Sequence, residues 1–422
     1  MSVPVGEAPT SFIQRIRQEF SFIKGNYAVL ITSWILIDFA VEIPVAYYAL
    51  YVLGLGATET IVGTIGLFQF LALASMQFPG GYLADKFGRK WLISSMTFGV
   101  TLSYIFYAIA PSWHFILIGA VLMSFFNSTY QPALMAMVAD SLPPEKRGMG
   151  FGIVTLIASA STTPGPVVAA LLFSNFGLIQ GMRIGYGIIV GLFLIAAILR
   201  AFKLKETMVT VERPGLSEIL KSYPVALKES LAVWKKVPSS MLYLFLSLLI
   251  TQFGFATVML YFPLFAINEL LIDAAIWPLI MAAVPITIII LSIPVGKAVD
   301  KATRKIPLLA SYLVFGASMW LFMNGNITVL FVSLALVGVG QVMLNAAFGA
   351  LQADLTPRAE RGKVMGFANF VGFIVMALGN LAGGVLYEHF SPHLPFLVAA
   401  ASVLPSFVLT LLLVHEPEKK EE

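Results

Sequence analysis

Asp38 and Glu42 lie four residues apart in an apolar run, Tyr27 to Leu53, that holds no other charge. At 1.5 Å per residue they fall about 16 and 22 Å into a helix starting at Tyr27, on one of its faces. An acid costs roughly 2.5–3.5 kcal/mol to insert at the centre of a membrane helix, so a pair of them needs a reason. Carboxyl groups about 6 Å apart can exchange a proton or accept a cationic ligand, which makes both residues candidates for proton coupling. A hydrogen-bonded pair that merely ties helices together uses the same residues. A second set is neutral. Asn127 and Gln131 stand at i and i+4, Gln341 and Asn345 repeat that spacing, and Gln252 occupies the position corresponding to Asp38. Amides facing a cavity suit hydrogen-bonding substrates, interhelical bonding being their other use. Glu388, His389 and His393 have the spacing of metal ligands, but Pro392 breaks the helix that would align them, and no metal site is expected. The chain has no cysteine, which excludes thiol chemistry, and no Gly-rich loop ending in Lys-Ser or Lys-Thr, which leaves direct drive by ATP unsupported. No catalytic residue and no cofactor is expected; the protein does not read as an enzyme.

These residues sit in a chain whose 422 residues are 59% hydrophobic and 11% charged, with a mean hydropathy of +0.89. Typical soluble domains have roughly 45–50% and 25%. The composition therefore predicts an all-α, polytopic membrane protein. Twelve apolar runs are long enough to cross the bilayer: 27–53, 60–83, 91–110, 113–139, 149–173 and 184–202, then 241–268, 275–299, 306–323, 327–353, 364–387 and 395–414. The expected division is a terminus at 1–26, a six-helix bundle at 27–202, a linker at 203–240, a second bundle at 241–414 and a tail at 415–422. With both termini cytoplasmic in the cell membrane, 25 of the 26 Lys and Arg residues obey the positive-inside bias, Arg183 being the exception. The net charge of +4 follows from that topology and gives no reason to expect nucleic acid. In the linker, Leu227, Leu231 and Trp234 fall on one stripe among lysines, predicting an interfacial amphipathic helix that lies on the membrane. No Lys or Arg is expected deep in a span, which favours neutral or cationic lipophilic substrates over anions.

The chain repeats itself. Asp140, Pro143, Arg147, Gly148 and Gly152 recur 214 residues later as Asp354, Pro357, Arg361, Gly362 and Gly366. Pro79, Gly81, Asp85, Lys86, Arg89 and Lys90 recur 215 residues later as Pro294, Gly296, Asp300, Lys301, Arg304 and Lys305. Two six-span units in the same orientation follow, pseudo-symmetric about the membrane normal, with a substrate site at their interface.

The run Gly81-Tyr-Leu-Ala-Asp85-Lys86-Phe-Gly88-Arg89-Lys90 resembles the signature loop of the major facilitator superfamily, a likeness that extends from Tyr27 to Val414. Asp85 ends the second span and Arg89 lies one turn further on, so carboxylate and guanidinium can meet across the loop; the resemblance further implies alternating access, with Asp85 facing the start of the eleventh span near Gly362 and Arg89 bridging to Asp140. Gly81 and Gly88 would then allow close backbone approach. These residues, with Gly296, Asp300, Arg304 and Asp354 in the second copy, are the expected gating set. Pro164-Gly165-Pro166 partly resembles the fifth-span motif of the family's drug antiporters, although Ser161 and Ala169 stand in place of glycines. The fourth span lacks the arginine that antiporters often carry. The resulting expectation is a proton-coupled exporter of lipophilic or cationic small molecules, its partners being substrate, protons and membrane lipid, with a monomer favoured. Proton-coupled uptake of a neutral metabolite and a non-transporting sensor with the same fold are the alternatives.

Overall fold

The computed structural model describes residues 19–208, 216–235, 237–301, 303–357 and 360–416. No strand occurs among them, as expected of backbone that must satisfy its own hydrogen bonds in lipid. Ten stretches among the described residues are long and apolar enough to cross a membrane. One of them, Pro144–Lys203, crosses twice. Tyr27 Oη donates to the Gly150 carbonyl at 2.7 Å, and the Lys205 N–H donates to Asn26 at 2.7 Å, so both ends of that stretch return to the start of the first span. The turn is made at Gly177, whose φ of 70° suits glycine. The 28-residue helix Trp113–Asp140 is a further pass, making twelve.

The first span runs as Gly25–Glu42 and resumes as Tyr48–Gly54 beyond a break at Pro44, where the missing N–H interrupts the helical ladder. Glu59–Lys86, Arg89–Ala108 and Trp113–Asp140 are the second to fourth spans. The fifth begins as Arg147–Thr162, is broken at Pro164-Gly165-Pro166, and passes into Gly165–Lys203, whose second part is the sixth. The seventh is Ser239–Met259 with a short extension to Glu269, and the eighth is Trp277–Met281 with Ala283–Lys301. Lys305–Met323, Ile327–Leu355, Arg361–His389 and Leu394–Leu413 complete the second half.

The linker helix, Leu216–Trp234, differs from the tether read in the sequence. Ser230 and Val233 are buried while Leu231 is 46% exposed, so the inward stripe is rotated from the one expected. Trp234 packs at 4.5 Å from Phe245 and 5.6 Å from Phe367, and Tyr223 meets Phe78 edge-on at 5.9 Å. Aromatic rings of the second, seventh and eleventh spans give this helix a protein surface to bury against, so it bridges both halves.

Candidate functional site

Asp38 and Glu42 remain one turn apart, Glu42 being the last residue before the break at Pro44. Both are half-buried, and neither carboxyl has a hydrogen-bond or ion-pair partner among the described residues. A Cβ placed on Gly165 would come within 2.6 Å of Glu42 Cβ, so a glycine is what lets the fifth span approach at this level. The expectation that no basic residue lies deep in a span fails at Arg200. Its side chain is fully buried, Nε donating to Ser33 Oγ and Nη1 to Thr97 Oγ1, both at 2.9 Å. Each hydroxyl is eight residues from the start of its helix, about 12 Å into the bundle. The guanidinium also stands 5.7 Å from the Tyr130 ring centre. An arginine three residues from a helix end reads in sequence as one that reaches out to water, but this one turns inward.

Two cavities complete the picture. The larger, about 270 Å³, lies between the halves and is walled by side chains that include Tyr48, Gln69, Phe70, Met123, Met259 and Met281. The smaller, about 120 Å³, lies inside the second half, where Gln252, Gln341 and Asn345 meet around Tyr312 and Phe315. Three of the five amides picked out by spacing thus converge. Asn127 is half-buried and Gln131 exposed on the fourth span, and neither lines these cavities. Gln69 carries no repeat or charge that marks it in the sequence.

At the face bearing the described chain ends, Arg89 is ion-paired with Asp140 and Arg304 with Asp354, one pair per half. Arg147 and Arg361 donate to the carbonyls of Ala139 and Ala353 respectively, covering open carbonyls at the ends of the fourth and tenth spans. Glu206 accepts from the N–H groups of Arg89 and Lys90 at 3.0 Å, and Glu416 from that of Lys305 at 2.7 Å, capping the third and ninth spans. Sequence reading missed these two acids because they are related by an offset of 210, not 214 or 215. Asp85 is exposed and meets neither Arg89 nor the start of the eleventh span. The side chain of Asp300 lies outside the described residues. Gly88 has a φ of 86°, a conformational reason for glycine, whereas open space surrounds the Cβ positions of Gly81 and Gly296. The close approach expected at Gly81 is therefore absent from this arrangement.

At the opposite face the halves interlock. Tyr47 Oη donates to the Ala274 carbonyl at 2.6 Å, Trp277 Nε1 to that of Ala46 at 3.1 Å, and Tyr261 Oη to that of Glu59 at 3.1 Å. The Thr60 N–H donates to Glu388 at 2.8 Å, and Thr60 Oγ1 stands 3.5 Å from His389 Nε2. Glu388 and His389 thus serve this interlock. These hydrogen bonds join the two halves directly at the far face.

A family model described as Major Facilitator Superfamily matches residues 26–273 and 244–422. The chain belongs to the Major Facilitator Superfamily. As a member it is a multi-pass membrane transporter and not an enzyme. Multidrug resistance protein MdtH of Salmonella arizonae is 26% identical over 387 residues, covering 89% of this chain and 90% of that protein. Multidrug resistance protein 1 of Bacillus subtilis is 35% identical over 159 residues, a match that takes in 37% of this chain and 40% of that protein. The crystal structure of the nucleoside transporter NupG superimposes with a TM-score of 0.72 at 15% identity, covering 91% of this chain and 98% of that one. The peptide transporter POT in complex with sulfate gives 0.70 at 16%, covering 92% and 93%. These superpositions show that the superfamily fold is shared.

Proposed function

We propose that this superfamily member exports lipophilic or cationic small molecules in exchange for protons, by alternating access, from a cell membrane in which both chain ends face the cytoplasm. The observation that carries the reading is the inter-half cavity. Its wall combines aromatic rings with three methionines, and flexible thioethers repack around ligands of different shape. The far-face interlock closes that cavity on one side, as one closure state of a rocking cycle requires. Unpartnered carboxyls at Asp38 and Glu42, confined to the first half, supply groups that can take up and release a proton. The printed names of the relatives from Salmonella arizonae and Bacillus subtilis, both multidrug resistance proteins, point the same way.

The test is ethidium movement in proteoliposomes with an imposed proton gradient. Uphill ethidium movement, with proton flow in the opposite sense, is expected. Movement of ethidium and protons in the same direction, or gradient-independent equilibration, would overturn export by exchange.

A further inference from the structure

A buried guanidinium held only by hydroxyls and a ring lacks the anion that such a charge requires in low dielectric. Arg200 is in that position: Nε and Nη1 are bonded, and Nη2 is buried without a partner. The four elements around it are the first span through Ser33, the third through Thr97, the fourth through Tyr130, and its own sixth span. The acids within the membrane-embedded part of this half are Asp38 and Glu42; Asp38 lies five residues, about 7.5 Å of helix, beyond the Ser33 that Arg200 bonds, and no ion pair joins it to Arg200 among the described residues.

The second half shows what the fold needs at this place. Ser33 corresponds to Ser247 at the offset of 214, Thr97 to Tyr312 at 215, and Arg200 to Thr410 at the offset of 210 that also relates Glu206 to Glu416. Those three residues are gathered as a neutral cluster, Ser247 Oγ lying 3.1 Å and Thr410 Oγ1 3.5 Å from Tyr312 Oη. Asp38 in turn corresponds to Gln252. One architecture is thus built twice, once with hydroxyls and an amide and once with a guanidinium and a carboxyl. Packing six helices does not demand the charge; something particular to the first half does.

We propose that Arg200 is the internal counter-charge of Asp38, a positioning residue whose free Nη2 receives the unprotonated carboxylate and releases it when Asp38 takes up a proton. This inference rests on the proton-coupled reading above. The sixth span then senses the protonation state of the first, and the pair exists in one half of the cycle only.

Thermal unfolding of the purified full chain tests the pairing without any substrate, at a pH alkaline enough to ionise Asp38. Asp38→Asn and Arg200→Met should each lower Tm by several degrees, and the double variant should recover at least half of the summed loss. Losses that simply add would overturn the pairing. Should either single variant fail to fold while the double folds, that is the same coupling in stronger form. The variant Thr97→Tyr with Arg200→Thr, which copies the neutral cluster of the second half, should fold and bind ethidium within about threefold of the parent while losing at least about tenfold in gradient-driven ethidium transport. Arg200→Lys should restore most of that transport. Gradient-driven transport intact in the neutral variant would refute the role of Arg200. If Asp38→Asn is itself fully coupled, the reading of Asp38 fails; if it is uncoupled and the Arg200 variants are not, this inference alone fails.

Discussion

Gly88 and Gly81 occupy the same signature loop for different physical reasons, and single alanines separate them. At a φ of 86° a Cβ meets the following carbonyl, so Gly88→Ala should cost about 1–2 kcal/mol. Gly81 is inside the helix Glu59–Lys86 with nothing near its Cβ position, and Gly81→Ala should stabilise by about 0.5–1 kcal/mol. Thermal unfolding measures both; if Gly81→Ala raises Tm yet lowers turnover, the close approach it forbids belongs to the other closure state. The two ion pairs can be ranked in the same way. Asp354 is 13% exposed and Asp140 38%, so Asp354→Asn should destabilise by about 2–3 kcal/mol and Asp140→Asn by about 1. Equal losses would show that burial does not set the value of these pairs. The Arg89–Asp140 pair was implied by the resemblance of the signature loop and its copy by the recurrence of Arg and Asp at nearly constant offsets, and the acids of the first span were legible because a charge in an apolar run is conspicuous. Arg200 was not, since its type and distance from the helix end suit an exposed residue, and only the rotation of the sixth span turns it toward Ser33 and Thr97.

Elements meet at the far face through few hydrogen bonds, and that makes the interlock adjustable. Tyr47 and Tyr261 each reach across with a hydroxyl to a carbonyl of the other half. Tyr47→Phe with Tyr261→Phe removes the donors and keeps the rings. At a net value of about 0.5–1.5 kcal/mol per bond, the closed state should lose roughly tenfold in population. Because the chain has no cysteine, Gln69→Cys places a single thiol on the cavity wall. Its labelling by an impermeant maleimide from the far side should rise about tenfold in the double variant. Unchanged labelling would mean that packing, not these hydroxyls, holds the face shut. Span number and order were readable from hydropathy because lipid leaves few alternatives. The break at Pro44 and the rotated face of the linker helix were not, because each depends on neighbours: Trp277, in the other half, donates to the Ala46 carbonyl just past the break, and Phe245 and Phe367 receive Trp234.

Across the whole molecule, symmetry of the fold is combined with asymmetry of charge. The first half places Asp38, Glu42 and Arg200 within its bundle, whereas corresponding positions of the second hold Gln252, Ala256 and Thr410. The small cavity walled by Gln252, Gln341 and Asn345 lies in the neutral half, where an amide can bond a ligand without a proton changing hands. Proton handling and ligand discrimination should therefore separate by mutation. Gln341→Ala and Asn345→Ala are expected to weaken ethidium binding severalfold while the number of protons moved per ethidium stays that of the parent. Asp38→Asn and Glu42→Gln are expected to do the opposite, abolishing gradient-driven accumulation while sparing binding and energy-independent exchange. Both sets are measured in the same proteoliposomes, with ethidium fluorescence for binding and a pH-sensitive dye for proton movement. A loss of proton stoichiometry in the amide variants, or full accumulation in both carboxyl variants, would show that the two halves do not divide the work, and that coupling is carried by groups shared across the cavity between them.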